Sequence, residues 1–437
     1  MKPYVAIADE IAKRIATGEM ALGSRLPPQR SFAYERGIAV STASRVYDEL
    51  RRRGLVTGEV GRGTYVSNRF APLDPSMQEP SGTGIDLEIV FRLAPETHEL
   101  IARSSAGFFK SGLSRDDLGP SAVRKSSDVM DVFADLTSET GHKVSSQDLL
   151  LTGNGKQAIA AAFCALAPRG GRLAVEELTY PFAIAVARRF GIELLPIPVD
   201  SEGMDPTALN ERVEGGIDGI YLQPTLQSPM VLTMGSARRQ AIAAILKHHN
   251  VAAIEDRIYG FLKPVKPLAA YAPDHVIQID SLSKRLMPGL SLGLITSPER
   301  FRDALAGAIR AGGWMAPSLS VAIARHWVEE GLVSEIEASK RSDAQAMFKI
   351  ARKTFAGLDY RSAPEALHGW LSLPTTWRAQ SFAEQCAQLG IAVAPGRAFA
   401  VGKGVAPSGV RIAYSASDLA TWAHALKEVA QLASSKG

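Results

Sequence analysis

The sequence has 437 residues, of which 46% are hydrophobic and 22% are charged, a composition typical of a soluble globular protein with two or more domains. No run of eighteen apolar residues occurs and the N-terminus lacks a long apolar core, so neither a membrane span nor a signal peptide is expected. Two distant cysteines favour a reducing cytoplasm, and eight histidines without ligand spacing predict no metal site.

The positive charge is concentrated at one end of the chain. Residues 1–68 contain 11 Lys and Arg against 7 Asp and Glu, which equals the net charge of +4 of the whole sequence. Everything after residue 68 therefore sums to zero. This distribution indicates a polyanionic partner for the first segment alone.

Residues 1–68 predict a winged helix-turn-helix. Apolar residues from Tyr4 to Ile15 recur at three- and four-residue steps and predict a first helix, and two more helices are predicted over 29–36 and from 41 or 42 to 53. Two short stretches, 55–57 and 63–66, predict the hairpin of a wing. A small helical cap domain with no ligand is the alternative from pattern alone.

Two motifs in this segment resemble those of the GntR winged-helix family, namely Leu26-Pro-Pro-Gln-Arg30 and Gly61-Arg-Gly-Thr-Tyr-Val66. The resemblance implies that operator DNA is a partner, with phosphate contacts setting the register and base contacts the specificity. The DNA-binding residues it implies are Arg30, Val40, Ser41, Thr42, Ser44, Arg45, Arg62 and Gly63. The family often has Arg where Val40 stands, so a potential guanine reader is missing.

Residues 69–84 are rich in Pro and Gly and predict a semi-flexible linker. In residues 85–437, strand-like and helical runs alternate, which predicts an α/β domain with a mainly parallel sheet. We expect a large domain over about 85–330 and a small α/β domain over about 331–437. Long helices are predicted over 304–331 and 334–354.

A lysine and an aspartate are placed as pyridoxal 5'-phosphate requires. Lys284 lies in Ser281-Leu-Ser-Lys284, a loop between two predicted strands, and Asp256 ends another strand, with Tyr259 three residues on. The lysine would form the Schiff base and the aspartate would keep the pyridine nitrogen protonated. Taken singly, such a lysine is usually a solvated charge and such an aspartate a helix cap.

The ordered set resembles the fold-type I aminotransferase family, and this resemblance implies a pyridoxal-phosphate site with Lys284 as its catalytic residue. Gly155, Lys156 and Gln157 match the phosphate-binding turn, and Tyr180 matches the tyrosine that stacks on the pyridine ring. Arg411 matches the arginine that binds the α-carboxylate of amino-acid substrates. The remaining cofactor-binding residues implied are Ser228, Asp256, Tyr259, Ser281, Ser283, Arg285 and Ser291.

Two positions depart from that family. Ser228 stands where an Asn usually contacts the cofactor's phenolic oxygen, and Ser291 stands where an Arg usually clamps the phosphate. A missing charge-assisted contact typically costs about 1.5–3 kcal/mol, so we expect weakened cofactor affinity. Arg285 and Lys156 are candidates to supply the missing charge.

The whole layout resembles the MocR subfamily of bacterial transcription regulators, in which a GntR-type winged helix precedes an aminotransferase-like domain. The resemblance implies a head-to-tail homodimer that senses an amino compound or pyridoxal phosphate, usually without productive turnover. The two serines favour a sensor over an efficient enzyme. The alternatives are an active aminotransferase with a vestigial DNA-binding module and a cofactor-free regulator that senses another small molecule.

Overall fold

The computed structural model describes residues 3–17, 19–21, 24–52, 55–59, 63–66, 84–91, 95–139, 141–168, 170–402, 406–415 and 418–435. The chain divides into two compact units, Met1–Gln78 and Glu79–Gly437. The predicted linker contains this boundary and, except for Gly84, lies outside the described residues. Within the described ranges, no helix combines the length and apolar character that a membrane crossing needs.

The first unit is a three-helix bundle with a small antiparallel sheet. Its elements are α1 (Pro3–Ala16), β1 (Arg25–Leu26), α2 (Gln29–Glu35), α3 (Val40–Arg52), β2 (Val56–Glu59) and β3 (Gly63–Val66). The strand order is β1-β3-β2. Gly37 adopts a left-handed conformation (φ 61°) that ends α2 and turns the chain towards α3. The sequence therefore predicted the winged helix-turn-helix correctly, and α3 begins at Val40, just before the expected start.

The second unit begins with a layered large domain. Its helices and strands, in chain order, are α4 (Pro95–Ser111), α5 (Ser127–Thr137), β5 (Leu149–Thr152), α6 (Gly155–Leu166), β6 (Arg172–Glu176), α7 (Pro181–Phe190), β7 (Glu193–Ile197), β8 (Val199–Asp200), β9 (Gly203–Met204), α8 (Pro206–Glu214), β10 (Gly219–Leu222), α9 (Ser236–His249), β11 (Ala253–Asp256), β12 (Val276–Ser281), α10 (Leu282–Arg285), β13 (Gly293–Thr296), α11 (Glu299–Ala311) and α12 (Ser318–Glu329). A short strand, β4 (Ile85–Asp86), precedes them.

A seven-stranded sheet with the order β5-β13-β12-β11-β10-β6-β7 organises the large domain. The five strands from β12 to β7 in that order are parallel, whereas β13 runs antiparallel to both of its neighbours. Every residue of β5, β10, β11 and β12 is buried, as expected where helices cover both faces of a sheet. The predicted mainly parallel sheet is confirmed.

The small domain is built on a second sheet. Its elements are α13 (Leu332–Thr354), β14 (Tyr360–Arg361), β15 (His368–Ser372), α14 (Ala379–Gln388), β16 (Ile391–Ala392), β17 (Ala394–Pro395), β18 (Gly409–Ala413) and α15 (Leu419–Ser434). The order in the sheet is β14-β15-β18-β17. Two tryptophans, Trp370 and Trp422, are fully buried in this domain. β4 pairs with β16, so the chain enters the second unit through the small domain and not, as expected, through the large one.

Helix α13 belongs to both domains. Its first turns pack Val333 and Ile336 into a core shared with β5 and α12, and its last turns pack Met347 and Ala351 into the core of the small domain. The long helix predicted over 304–331 is wrong, because Gly312, Gly313 (φ 66°) and Pro317 divide it into α11 and α12.

Candidate functional site

Lys284 lies on the one-turn helix α10, which begins where β12 ends. The hydroxyl of Ser281 caps this helix by accepting a hydrogen bond from the backbone N–H of Ser283 (3.1 Å). The Nζ atom of Lys284 donates to the carbonyl oxygen of Val90 at 2.5 Å. Burial lowers the pKa of Lys284 to about 7, and the positive charges of three neighbours, Arg411, Lys340 and Lys156, contribute to this shift. At neutral pH much of this amine is therefore uncharged, the form that acts as a nucleophile.

One of those cations, Lys340 on α13, was missed at the sequence level. Its buried ammonium donates hydrogen bonds to the carbonyl oxygens of Lys284 (2.7 Å) and Leu286 (2.6 Å). These carbonyls lie at the end of α10, where no further turn satisfies them. Burial lowers the pKa of Lys340 to about 8. Lys340 therefore holds the turn that carries Lys284 and adds positive charge beside it.

Asp256 ends β11 with its carboxylate buried and fully hydrogen-bonded. It accepts from the Tyr221 hydroxyl (2.6 Å), the Gln223 side-chain amide (3.0 Å) and the backbone N–H of Ile258 (3.1 Å). Burial raises the pKa of Asp256, and these donors oppose that rise. Tyr221 and Gln223 come from the neighbouring strand β10 and the residues after it, so their part in fixing the carboxylate had no local signal in the sequence.

The start of α6 lies against the start of α10. A Cβ atom on Gly155 would lie 3.0 Å from the Cβ of Ser281, so glycine permits this close approach. The Asn154 side chain accepts from the backbone N–H of Gln157 at 2.8 Å and caps α6. Amide groups at a helix start, combined with nearby hydroxyls, suit a phosphate group.

Three serine hydroxyls form a chain at the same place. The Ser281 hydroxyl bonds to that of Ser283 (2.9 Å), which bonds to that of Ser291 (2.8 Å). Lys156 is the nearby cation on α6, and its Nζ lies 5.1 Å from the centre of the Phe182 ring. Burial lowers the pKa of Lys156. The structure thus brings the predicted phosphate residues together as a largely neutral hydroxyl cluster.

Arg285 is placed differently from its prediction. Its guanidinium is buried and pairs with the carboxylates of Asp280 (2.5 Å) and Glu337 (2.5 Å). These two carboxylates raise the pKa of Arg285 above its ordinary value. Adjacent residues on a helix point about 100° apart, so Arg285 faces away from the direction that Lys284 takes. The expectation that Arg285 compensates for the missing phosphate arginine is wrong, because its charge is already neutralised.

Two tyrosines line the region around Asp256. Tyr180, directly before α7, is half-buried, and burial raises its pKa. Tyr259 is buried, its ring centre lies 5.5 Å from that of His368, and burial raises its pKa to about 12. The negative charge of Asp256 also raises the pKa of both phenols, and the positive charge of Arg411 lowers it. Both tyrosines are therefore neutral hydroxyl groups at physiological pH.

Arg411, on β18 of the small domain, is a buried cation without a carboxylate partner among the described residues. It donates to the hydroxyl of Ser228 (3.1 Å) and to the backbone carbonyl of Glu88, and it lies over the Phe399 ring. Among the described residues its Nε atom has no hydrogen-bond partner. Burial lowers the pKa of Arg411, and the carboxylates of Glu88 and Asp86 oppose this shift. A planar guanidinium in this state suits a ligand carboxylate.

Ser228 connects this arginine to the aspartate. Its hydroxyl accepts from Arg411, and its backbone N–H donates to the Gln223 side chain (3.2 Å), whose amide holds Asp256 (3.0 Å). Ser228, expected at the position of the family's asparagine, therefore holds Arg411, the arginine expected to bind a carboxylate. Within the described ranges, no cluster of three or more His, Cys, Asp and Glu side chains could hold a metal ion.

The residues predicted to bind DNA lie on α2 and α3 of the first unit. Arg30 lies in the first turn of α2, and Val40, Ser41, Thr42, Ser44 and Arg45 lie in the first two turns of α3. The side chains of Arg30, Val40, Ser41 and Arg45 are exposed, and those of Thr42 and Ser44 are half-buried. Gly63 begins β3, and Arg62 lies outside the described residues. The start of α3 therefore presents polar, basic and one apolar side chain to solvent.

Both units match known families. Residues 125–429 match the model described as aminotransferase class I and II, and residues 3–66 match that of bacterial regulatory proteins of the gntR family. HTH-type transcriptional regulator YdeF of Bacillus subtilis (strain 168) is 29% identical over 422 residues, covering 94% of this chain and 90% of that protein. Vitamin B6 salvage pathway transcriptional repressor PtsJ of Salmonella typhimurium is 26% identical over 423 residues, covering 94% and 93%.

Solved structures give the same result for the fold of the second unit. An archaeal alanine:glyoxylate aminotransferase superposes with a TM-score of 0.73 at 20% identity, covering 80% of this chain and 91% of that one. LysN, an α-aminoadipate aminotransferase from Thermus thermophilus, gives a TM-score of 0.71 at 20% identity, covering 80% and 92%.

Together these findings define a winged-helix transcription regulator fused to an aminotransferase-like domain. The chain belongs to the aminotransferase class I and II family and carries that domain behind a GntR-type DNA-binding domain, the layout of MocR-type regulators.

Proposed function

We propose that this regulator binds pyridoxal phosphate at Lys284, senses an amino compound or the cofactor itself, and changes its binding to operator DNA in response. One observation carries the proposal: Lys284 is surrounded by the charges of Arg411, Lys340 and Lys156, and its pKa falls to about 7. Cations that converge without forming ion pairs among the described residues suit a ligand with two anionic groups. A phosphorylated cofactor and the carboxylate of an amino acid supply such groups.

The residues present fit pyridoxal phosphate. When bound, this cofactor supplies an aldehyde that condenses with a primary amine and a pyridine ring that withdraws electrons. Lys284 offers the amine in its uncharged form, and Asp256, held by Tyr221 and Gln223, would keep the ring nitrogen protonated. The close approach of Gly155 to Ser281 leaves the α6 amides and the serine hydroxyls side by side, as a phosphate requires.

The substitutions at Ser291 and Ser228 support a sensor over an efficient enzyme. The serine cluster would hold the phosphate through neutral hydroxyls, with Lys156 as the available cation, since Arg285 is paired with two carboxylates. A serine hydroxyl donates one hydrogen bond to a phosphate and brings no counter-charge, whereas an arginine donates two and neutralises phosphate charge, so the cofactor should dissociate more readily. Reversible binding suits a protein that reports cofactor or effector concentration. An active aminotransferase and a cofactor-free regulator remain the competing hypotheses.

We infer that the operator is read by the start of α3 in a head-to-tail homodimer. The exposed side chains there and the net charge of +4 in residues 1–68 support a contact with the DNA backbone and base edges. A single module buries only about 600–1,000 Å² on DNA, so two copies held by one dimer gain affinity from effective concentration. The named function of the PtsJ relative supports a link between vitamin B6 and repression.

The first test uses the full chain, pyridoxal phosphate and an absorbance titration. Wild-type protein should develop the absorbance band of a cofactor bonded to lysine, and borohydride should trap it on Lys284. Lys284→Ala should lose both signals, whereas Lys247→Ala, which changes an exposed lysine on α9, should retain them. Equal trapping in Lys284→Ala and wild type would refute the assignment.

The same preparations serve for DNA binding and turnover. Arg30→Ala and Arg45→Ala should each lower affinity for the protein's own upstream region and reduce its salt dependence, because phosphate contacts are lost. Arg361→Ala, an exposed arginine on β14, is the control. Unchanged affinity in both variants would contradict the DNA-binding surface. Sustained transamination of an amino acid with a keto acid would favour the enzyme hypothesis.

A further inference from the structure

The segment Gly84–Val90, which begins at the last residue of the predicted linker, is called here the strap. It starts with β4 and continues through a bend, in which the backbone N–H groups of Glu88 and Ile89 donate to the Asp86 side chain (2.7 and 3.1 Å). One edge of the strap is fixed to the small domain. The backbone N–H groups of Ile85 and Leu87 donate to the carbonyls of Gly390 and Ala392, both at 2.8 Å. The Leu87 side chain is fully buried in the small-domain core. The strap is therefore an ordered part of the domain that carries Arg411.

The other edge of the strap meets the candidate site. The carbonyl of Asp86 accepts from the Ser415 hydroxyl, that of Glu88 from Arg411, and that of Val90 from Lys284. Two of these three donors are the cations that we assign to the cofactor and to the effector carboxylate. The strap thus occupies donors that a ligand requires.

Ligand binding and the strap contacts compete for these donors. A Lys284 amine that is covalently engaged loses N–H donors, and an Arg411 fork that meets a carboxylate turns its donors towards it. Val90 is buried, so a carbonyl that loses its donor there must find another partner or move towards water. The position of the strap should therefore depend on whether the site is filled.

The strap is also the point where the second unit joins the chain that leads to the winged helix. Gly84 begins it in a left-handed conformation (φ 105°), and a Cβ atom there would lie 2.4 Å from the carbonyl oxygen of Gly390. Only glycine fits this conformation and this approach. Residues 67–83, outside the described residues, connect Gly84 directly to the DNA-binding unit.

We propose that the strap is the element that transmits occupancy of the site to the DNA-binding unit. Binding at Lys284 and Arg411 releases the carbonyls of Val90 and Glu88, the strap loosens, and the linker attached to Gly84 is repositioned. This inference rests on the proposed function, since it assigns the ligand contacts to Lys284 and Arg411. The inference gives a regulatory role to the backbone carbonyls of Glu88 and Val90, which belong to no sequence motif.

Hydrogen–deuterium exchange of the full chain tests the first step, with pyridoxal phosphate as the probe. Binding is followed by absorbance in the same samples. On binding, amides of peptides covering residues 84–91 should exchange about fivefold faster, the factor expected for the loss of one hydrogen bond. Lys284→Ala should show the fast exchange without the probe and no further change with it. Unchanged or slower exchange in a wild-type protein that binds the probe would overturn the strap and leave the proposed function standing.

Operator affinity tests the second step. Gly84→Ala should unseat the strap, so that pyridoxal phosphate changes the operator affinity of this variant less than twofold, about the resolution of such measurements. Cofactor binding should be at least as tight as in wild type, because the competing strap contacts are weakened. Gly357→Ala is the matched control, because Gly357 has a similar φ of 88° with nothing within 4 Å of its added Cβ. A wild-type response in Gly84→Ala would overturn the inference. Failure of wild type to bind the cofactor would refute the proposed function itself, and the inference with it.

Discussion

Two buried arginines of the second unit show how a structural cation differs from one kept for a ligand. Arg285 pairs with Asp280 and Glu337, so its charge is neutralised inside the protein. Arg411 donates only to neutral oxygens, the hydroxyl of Ser228 and the backbone carbonyl of Glu88, and its Nε atom has no partner among the described residues. The carboxylates of Glu88 and Asp86 act on its charge, but neither forms an ion pair with it among the described residues. A buried cation without an ion pair is costly, and a ligand carboxylate would supply that pair.

The same contrast holds for lysines around α10. Lys284 and Lys340 donate to backbone carbonyls, and burial lowers the pKa of both, to about 7 and about 8. Neither forms an ion pair among the described residues, whereas Lys263, at the surface, lies 3.5 Å from Glu365. Among the described buried lysines and arginines, those without an ion pair, Lys340 and Arg411, lie at the candidate site. The identity of the side chain alone does not reveal which kind of cation it is.

The largest expected effect separates the two arginines by stability. Arg285→Met leaves the buried Asp280 without its ion pair, while the partly buried Glu337 keeps Arg341 at 3.5 Å. It should lower the free energy of unfolding of this unit by about 3–5 kcal/mol. Arg411→Met removes hydrogen bonds to neutral groups and should cost no more than about 2 kcal/mol. Urea unfolding without cofactor measures both. Arg361→Met is the exposed control. If Arg411→Met lowered the free energy of unfolding as much as Arg285→Met, Arg411 would have a structural role.

A smaller effect tests whether the phosphate end lacks charge. Ser291→Arg would place a new guanidinium beside the serine cluster, and it should tighten pyridoxal-phosphate binding about tenfold or more, the value of one charge-assisted contact. Ser291→Met is the control for side-chain size without charge. The absorbance titration measures the affinity. No gain would mean that Lys156 or another group already supplies the charge, and the contrast with Arg411 would weaken.

The smallest expected effect concerns pH. The Lys284 amine is neutral above its pKa, so cofactor binding should accelerate as pH rises through about 7 and then level off. Lys340→Met removes a positive charge that helps to lower this pKa, so the midpoint should move to higher pH. Arg411 and Lys156 remain and keep the shift partial. Lys349→Met, an exposed change on the same helix, should leave the midpoint in place, and an unmoved midpoint in Lys340→Met would refute the coupling.

The features that the sequence predicted are those carried by contiguous residues. The Ser281–Lys284 motif, Asp256 at a strand end and the glycine at the start of α6 are local patterns, and the structure brings these groups to one edge of the sheet. The winged helix was predictable for the same reason, since periodicity and turn residues mark its helices.

What sequence reasoning missed depends on contacts between distant positions. Val90 reaches Lys284 across 194 positions, and Lys340 reaches it across 56. Arg285 looked like a phosphate ligand because it adjoins Lys284, and only the structure shows its two carboxylate partners, Asp280 on β12 and Glu337 on α13. One usable signal existed: Ile336, Lys340, Ala344 and Met347 recur at helical spacing, which placed a lysine on an apolar face.

The buried tryptophans of the small domain offer an optical consequence. All five tryptophans of the sequence lie after residue 300, and residues 1–84 contain none. Trp370 faces Arg411 in the β15–β18 register, and Trp422 packs in the same core. Tryptophan emission therefore originates in the second unit alone, and unfolding of the DNA-binding unit should change the circular dichroism more than this emission. Comparing this emission with far-ultraviolet circular dichroism separates the melting of the two units without any label.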